Sequence, residues 1–179
     1  FDIFAKAVAE KDYTLIKRMQ LRATITSLDG ETKSFRALNE VTLARGQTGR
    51  LVALDAWVDG ELLNHYRADG LIVATTTGST AYSLSAGGPL IAPKAEVFVI
   101  TPICPHSLSN RSLVVSHSSL VELAPAEDAE CPMFLTVDGR DVMAINQGDR
   151  IQVDQAGHAL PLLRLEGRNF YSTLRQKLG

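Results

Sequence analysis

The stretch Asp69-Gly70-Leu71-Ile72-Val73-Ala74-Thr75-Thr76-Thr77-Gly78-Ser79-Thr80-Ala81-Tyr82-Ser83-Leu84-Ser85-Ala86-Gly87-Gly88-Pro89 decides how this chain is read. An acidic Asp-Gly turn leads into an apolar run, residues 71–74, with the length and composition of a short buried strand. The run breaks into hydroxyls and Gly78, and residues 80–86 have room for one or two helical turns before Gly87-Gly88-Pro89 ends them. A strand that feeds a small, hydroxyl-rich turn into a helix start leaves backbone N–H groups unpaired, and glycine lets a ligand approach the backbone. Read alone, residues 75–82 are either a ligand site or a Thr-rich strand end whose hydroxyls cap the helix from Thr80.

Working outward, short strands dominate. Leu21-Arg22-Ala23-Thr24-Ile25 alternates as a half-buried strand does; Leu28-Asp29-Gly30-Glu31 is a turn, and residues 33–38 return as a hairpin partner. Residues 41–45 and 51–58 follow, the latter turning at Asp59-Gly60 into 62–66. Downstream, 97–102, 113–115, 120–123, 133–137, 142–145, 150–154 and 162–165 are strand candidates, with turns at 46–49, Asp138-Gly139 and 146–149. Residues 1–9 are a remnant helix or a linker, and 13–19 have mixed periodicity. Phe170, Leu174 and Leu178 recur every four residues, which predicts a terminal helix on an apolar face. No helical segment long enough for a crossover separates the strands, so a βαβ array is excluded. The prediction is an all-β, β-sandwich-like domain of ten or more short strands, with one short internal helix and a C-terminal helix.

The chain has 179 residues, enough for one domain with a full core, and the domain is taken as 1–179. Lys plus Arg number 18 against 20 Asp plus Glu, so nothing in the charge calls for nucleic acid or an acidic membrane. Arg164, Arg168, Arg175 and Lys177 are the one candidate for a local basic patch. Two cysteines, Cys104 and Cys131, are too few for a disulfide scaffold, and a reducing, cytoplasmic compartment is expected. No apolar run is long enough to span a membrane. The start at Phe1, inside ordered-looking sequence, reads as a cut-out domain or a chain whose beginning is missing.

Walker A, Gly-x-Gly-x-x-Gly and Gly-x-Ser-x-Gly patterns are absent, and the four histidines and two cysteines lack the close pairings of a zinc site. No residue is assigned as a metal ligand. Generic motifs therefore leave the function open.

The residue blocks do not. Residues 69–72 with 75–82 and 85–89 resemble the signature of the NAD kinase family. Leu38-Asn39-Glu40-Val41 is similar to that family's Asn-Glu motif, and Thr101-Pro102-Ile103-Cys104-Pro105-His106-Ser107-Leu108-Ser109-Asn110-Arg111 to its Pro-His-Ser-Leu loop. Asp138-Gly139 resembles its late Asp-Gly turn, and residues 170–179 its C-terminal helix. The blocks follow the family's order from about Met19 to the end.

The resemblance implies the C-terminal, NAD-binding domain of a two-domain kinase. Such enzymes transfer a phosphoryl group from ATP, or in some relatives polyphosphate, to the 2′-hydroxyl of the adenosine ribose of NAD, giving NADP. A divalent ion, Mg²⁺, would be held largely by the phosphates. The partners implied are an N-terminal α/β domain of the same protein, for which residues 1–18 are a connector remnant, and further copies in a homodimer or homotetramer. The aspartate usually taken as the base sits in a Gly-Gly-Asp-Gly motif absent here, so no residue of this chain is assigned as catalytic and the isolated chain is expected to be inactive.

Site residues carry over by position. Asn39 can offer donor and acceptor to an adenine edge, and an ionised Glu40 can accept from ribose hydroxyls; read alone, the pair is sooner a turn cap and a surface polar residue, and the family resemblance turns the reading to ligand contact. Asp69 matches a contact to the nicotinamide end, against an ordinary Asp-Gly turn. Thr77, Thr80, Ala81 and Tyr82 match the nucleotide-holding turn, with core packing the other reading of Tyr82. Gly78, Gly87 and Gly88 are read as backbone enablers. His106 is an acid–base candidate or a loop histidine held by Ser107 and Ser109, and Asp138 either lies near the site or only makes its turn. Thr76 and Ser112 stand where the family usually has proline; at 76 the change either loosens the turn or adds a hydroxyl that holds it. The readings from other classes are a non-catalytic nucleotide-binding or structural β-domain, and a related lipid or sugar kinase.

Overall fold

The computed structural model describes residues 2–46, 49–107, 110–130, 132–165 and 169–178. Leu108 and Ser109 of the Pro-His-Ser-Leu loop, Cys131, Arg168, part of the 46–49 turn, and the side chains of Lys177 and Leu178 lie outside the description.

In chain order the elements are α1 (Asp2–Glu10), β1 (Tyr13–Arg18), β2 (Leu21–Thr26), β3 (Thr32–Ala37), β4 (Glu40–Arg45), β5 (Val52–Val58), β6 (Glu61–Ala68), β7 (Gly70–Ala74), a 3-10 turn (Gly78–Thr80), α2 (Tyr82–Ser85), β8 (Val97–Ile103), β9 (Leu113–Ser116), β10 (Val121–Pro125), β11 (Met133–Val137), β12 (Arg140–Ile145), β13 (Arg150–Gln155), β14 (Leu160–Leu165) and α3 (Phe170–Leu178). All strand pairs are antiparallel and form two six-stranded sheets, β3-β2-β13-β10-β5-β6 and β12-β11-β4-β7-β8-β9, with a separate β1-β14 ribbon. The predicted β-sandwich is therefore the observed fold, with the internal and C-terminal helices in place.

Alternation builds the core. Leu21, Ala23 and Ile25 of β2 and Ile151 and Val153 of β13 face Val41 and Leu43 of β4, Leu71 and Val73 of β7, and Phe98 and Ile100 of β8 in one cluster of buried side chains. Strand β7 is buried at every position. Its outward residues Ile72 and Ala74 join Ile91, Val99 and Ile103 in a second, smaller cluster. The chain after β7 thus folds back over the outer face of its own sheet, which is why β7 reads as an unbroken apolar run.

One strand was not legible. Residues 13–18 show mixed periodicity, yet they pair along their whole length with β14, from Tyr13↔Leu165 to Arg18↔Leu160. A two-stranded ribbon leaves both faces partly open, with no fully buried position in β1, so burial imposes no alternation on it. Among the described residues, no helix is long and apolar enough to cross a membrane.

Leu71 is completely buried at the centre of the sandwich. Leu71→Ala is expected to lower the unfolding free energy by about 2–5 kcal/mol, read from urea denaturation midpoints at unchanged slope.

Candidate functional site

Strand β4 begins where β7 ends, with Glu40 opposite Ala74. The corner 38–40 and the hydroxyl turn 75–82 are therefore neighbours by strand register. Thr75, fully buried, fastens them. Its N–H donates to the Asn39 carbonyl at 2.8 Å, its hydroxyl donates to the Leu38 carbonyl at 2.7 Å, and its Oγ1 accepts from the Gly78 N–H at 3.1 Å. Gly78 lies directly on Asn39: a Cβ at position 78 would stand 2.0 Å from the Asn39 carbonyl oxygen and 2.5 Å from its carbon. Glycine is required here by close approach of two backbones.

The turn holds itself with its other hydroxyls. Ser79 donates to the Thr76 carbonyl at 2.8 Å and accepts from the Ile91 N–H at 3.1 Å, and Thr80 donates to the Thr77 carbonyl at 3.1 Å. Thr76 makes only a long contact of 3.5 Å to the Pro93 carbonyl. The residues that directly precede the 3-10 turn and α2, Thr77 and Ala81, make no side-chain capping bond; the Gly78 N–H that opens the 3-10 turn is taken by Thr75 Oγ1.

A third segment locks the corner. Val137 pairs with Val41 on β4 and with Arg140 on β12, leaving Asp138-Gly139 as a two-residue hairpin loop with φ of 49° and 73°. From there the Asp138 carboxylate accepts three consecutive backbone N–H groups: Leu38 at 2.8 Å, Asn39 at 2.7 Å and Glu40 at 3.1 Å. The Asp138 N–H returns a bond to the Glu40 carbonyl at 3.0 Å. Asp138 thus both makes its turn and reaches the 38–40 corner.

Glu40 points to the outer face of the sheet, opposite its core-facing neighbour Val41, and is 7% exposed. Its carboxylate accepts from the Tyr82 backbone N–H, while Oε2 has no protein partner. Burial pushes the carboxyl above the ordinary glutamate range; the Asp138 charge adds to this and the Tyr82 N–H opposes it. Thr77 Oγ1 is likewise buried with no protein partner. The Tyr82 side chain is 45% exposed, which rules out core packing as its role. Asn39 and Thr80 are half-buried, and the Ala81 N–H is used on the Gly78 carbonyl at 2.9 Å. Asn39, Glu40, Thr77, Thr80, Ala81 and Tyr82 are thus gathered at one edge of the sheet.

Asp69 is not with them. It precedes β7, six residues from Thr75, which in extended chain is a separation of about 20 Å. There Asp69 accepts from Arg45 Nε at 2.6 Å, and its N–H donates to the Ile103 carbonyl at 2.9 Å. His106 follows β8 at that same end, its N–H on the Arg67 carbonyl at 2.9 Å, and with Asn64, His65, Arg67, Asn110 and Asp128 it lines a cleft of about 540 Å³. The Arg67–Asp128 ion pair and a hydrogen bond between His65 Nδ1 and the Asp55 carboxylate lie at this cleft.

The hydroxyl-turn edge therefore offers an unfilled carboxylate oxygen, an unfilled hydroxyl, an amide and an exposed phenol ring, a set suited to a hydroxylated aromatic ligand. Among the described residues no group of three or more His, Cys, Asp or Glu can hold a metal ion, and the Asp138 oxygens are already taken by amides.

A family description, the ATP-NAD kinase C-terminal domain, matches residues 38–165, which include the corner, the turn and Asp138. The chain belongs to the NAD kinase family. It is 44% identical over 179 residues to the NAD kinase of Chlorobium luteolum, covering 99% of this chain and 61% of that protein. It is 41% identical over 167 residues to the NAD kinase of Thermoanaerobacter sp. strain X514, covering 93% of this chain and 59% of that protein. This NAD kinase domain thus spans about three-fifths of the length of those relatives. Its fold superposes on yeast NADH kinase complexed with NADH with a TM-score of 0.92, at 29% identity, over 99% of this chain and 54% of that one. An NAD kinase from Archaeoglobus fulgidus in complex with ATP gives a TM-score of 0.77 at 25% identity, over 98% of this chain and 66% of that one.

Two outcomes test the geometry of the NAD kinase domain. Gly78→Ala forces a Cβ into the Asn39 backbone and is expected to cost more than about 2 kcal/mol in denaturant unfolding, well beyond the usual surface substitution. Glu40 has a raised folded-state pKa, so folding favours its protonated form. The stabilisation linked to Glu40 is complete below the unfolded pKa and is lost as pH rises through the folded one. Melting temperatures of Glu40→Gln and wild type are therefore expected to diverge in favour of the variant as pH rises above the ordinary glutamate range.

Proposed function

We propose that this chain is the NAD-holding half of a NAD kinase, which transfers a phosphoryl group from ATP or polyphosphate to the 2′-hydroxyl of the adenosine ribose of NAD. One observation carries the reading. Two buried polar atoms without protein partners, Glu40 Oε2 and Thr77 Oγ1, lie at the corner and turn that meet at one sheet edge, beside the exposed Tyr82 ring. Buried polar atoms are almost always paired, so these two are suited to a ligand. A nucleoside supplies what they lack: hydroxyl donors for Glu40, a polar partner for Thr77, and a flat base for Tyr82 and the Asn39 amide. Support comes also from the yeast NADH kinase, whose solved complex contains NADH.

In this reading the domain binds and orients the acceptor. In-line approach of the 2′-hydroxyl to the terminal phosphoryl group depends on that placement, since phosphoryl transfer is largely positioning and charge stabilisation. The base, the Asp of a Gly-Gly-Asp-Gly motif, and much of the phosphate cradle belong to an N-terminal α/β domain joined through residues 1–18. Mg²⁺ would offset phosphate charge and be held largely by the donor phosphates. The cytoplasm is the compartment this reading expects, since two cysteines are too few for a disulfide scaffold.

Asp69 enters through a second copy. About 20 Å of strand separates it from the turn, so the Asp69 that reaches a nucleotide on one protomer is assigned to a neighbour in a homodimer or homotetramer. Isothermal titration checks the whole reading. The chain is expected to bind NAD without phosphorylating it. Tyr82→Ala is expected to weaken NAD by roughly ten- to a hundredfold through lost stacking, and Asn39→Ala by roughly fivefold. Asp69→Ala is expected to weaken NAD only at protein concentrations where sedimentation detects self-association. Absence of NAD heat from the wild-type chain, or NAD phosphorylation by it, counts against the proposal.

A further inference from the structure

Three consecutive backbone N–H groups converging on one point make an anion-binding concavity. At the corner 38–40 that concavity is filled from within the chain, by the carboxylate of a residue about a hundred positions away. We infer that Asp138 is a positioning residue for nucleotide binding: its carboxylate, seated in the amides of Leu38, Asn39 and Glu40, holds the Asn39 amide and the Glu40 carboxylate at the ligand face and keeps a negative charge beside Glu40. The inference rests on the reading of this corner as the nucleotide-holding site.

An aspartate needed only for its hairpin would serve with its backbone alone, since Asp138-Gly139 already has the left-handed conformation that such a loop demands. Its side chain instead reaches across to another segment. Oδ1 accepts from Asn39 and Glu40, and Oδ2 from Leu38. With its oxygens so occupied, Asp138 acts on a ligand through the corner and not by touching it. The Thr75 bonds to the Leu38 and Asn39 carbonyls complete the hold from the other side, so the corner has its donors on one segment and its acceptors on another.

The charge has a second consequence. The titratable group that faces Glu40 from the β11–β12 loop is Asp138, and the group that faces it from α2 is the Tyr82 N–H. Asp138 and burial both favour the protonated form of Glu40, and the N–H opposes them. Glu40 accepts a ligand hydroxyl best when ionised. Asp138 therefore sets the lower pH limit of nucleotide binding, and loss of its charge moves that limit toward acid.

The test uses the 179-residue chain, its Asp138→Asn and Glu40→Gln variants, and NAD as probe. Carbon-13 NMR follows the Glu40 carboxyl across pH, and titration calorimetry follows NAD affinity across the same range. Wild-type affinity is expected to fall as Glu40 takes up its proton. Asp138→Asn keeps one oxygen acceptor but loses the acceptor for Leu38, and is expected to weaken NAD roughly tenfold at neutral pH. It is also expected to shift both the Glu40 titration and the affinity limb to lower pH, while Glu40→Gln abolishes that limb. A merely structural aspartate would weaken binding without moving the limb. A folded Asp138→Asn with the wild-type Glu40 titration and affinity profile overturns the inference and leaves the NAD reading standing. A wild-type chain that takes up no NAD overturns the functional reading itself. Should Asp138→Asn not fold, the wild-type amide resonances of residues 38–40 decide: shifts on NAD addition that follow the Glu40 carboxyl across pH support the inference, and their absence overturns it.

Discussion

The carboxylate of Asp138 in the amides of residues 38–40 is the contact on which the site depends. A chain entering a strand carries backbone N–H groups that need partners, and a corner has no ladder to supply them. Here a side chain from the neighbouring hairpin supplies all three. Thr75 then takes the Leu38 and Asn39 carbonyls, and Gly78 packs on the Asn39 backbone. Three segments distant in sequence meet at one place, each satisfying what the others leave open. The antiparallel order β11-β4-β7 makes the meeting possible, because it puts the end of β11, the start of β4 and the end of β7 at the same edge.

The rest of the sandwich serves as support. Its two sheets share one apolar core, and a second cluster fastens the segment after β7 to the outer face of its sheet. Among the described residues three buried side-chain atoms lack a protein partner: Thr42 Oγ1 within β4, and two at the site. Glu40 is a buried acid with one oxygen unfilled, and Thr77 a buried hydroxyl with no partner. Both are locally unfavourable, and both are what a hydroxylated ligand would relieve. The same residue thus weakens the empty domain at neutral pH and suits it to bind.

Much of the architecture was legible because antiparallel strands with one face in a core must alternate. β2 and β13 show this directly, with Leu21, Ala23, Ile25, Ile151 and Val153 all inward. Strand β7 was legible for the opposite reason: it is covered on both faces and reads as a solid apolar run. Strand β1 was not, since its ribbon leaves both faces partly open and selects no pattern. At the site, the residue types at 39, 40, 77, 80, 81 and 82 stood out by resemblance. The role of Asp138 did not, because Asp-Gly is sufficient to make a hairpin loop and nothing in that dipeptide announces a long-range bond.

The sequence by itself therefore determined the strands other than β1, the all-β class, the family and the chemical inventory of the hydroxyl turn. These depend on local composition and periodicity, or on blocks of residues kept in order along the chain. Tertiary structure alone decided which of those residues meet. It gathered Asn39, Glu40 and the 75–82 turn, sent Asp69 to the far end of β7 beside Arg45, and brought Asp138 onto the corner. The physical reason is that strand register and sheet order fix distances between segments, and a side chain's partner across a hundred residues is set by that geometry and by no local property of the chain.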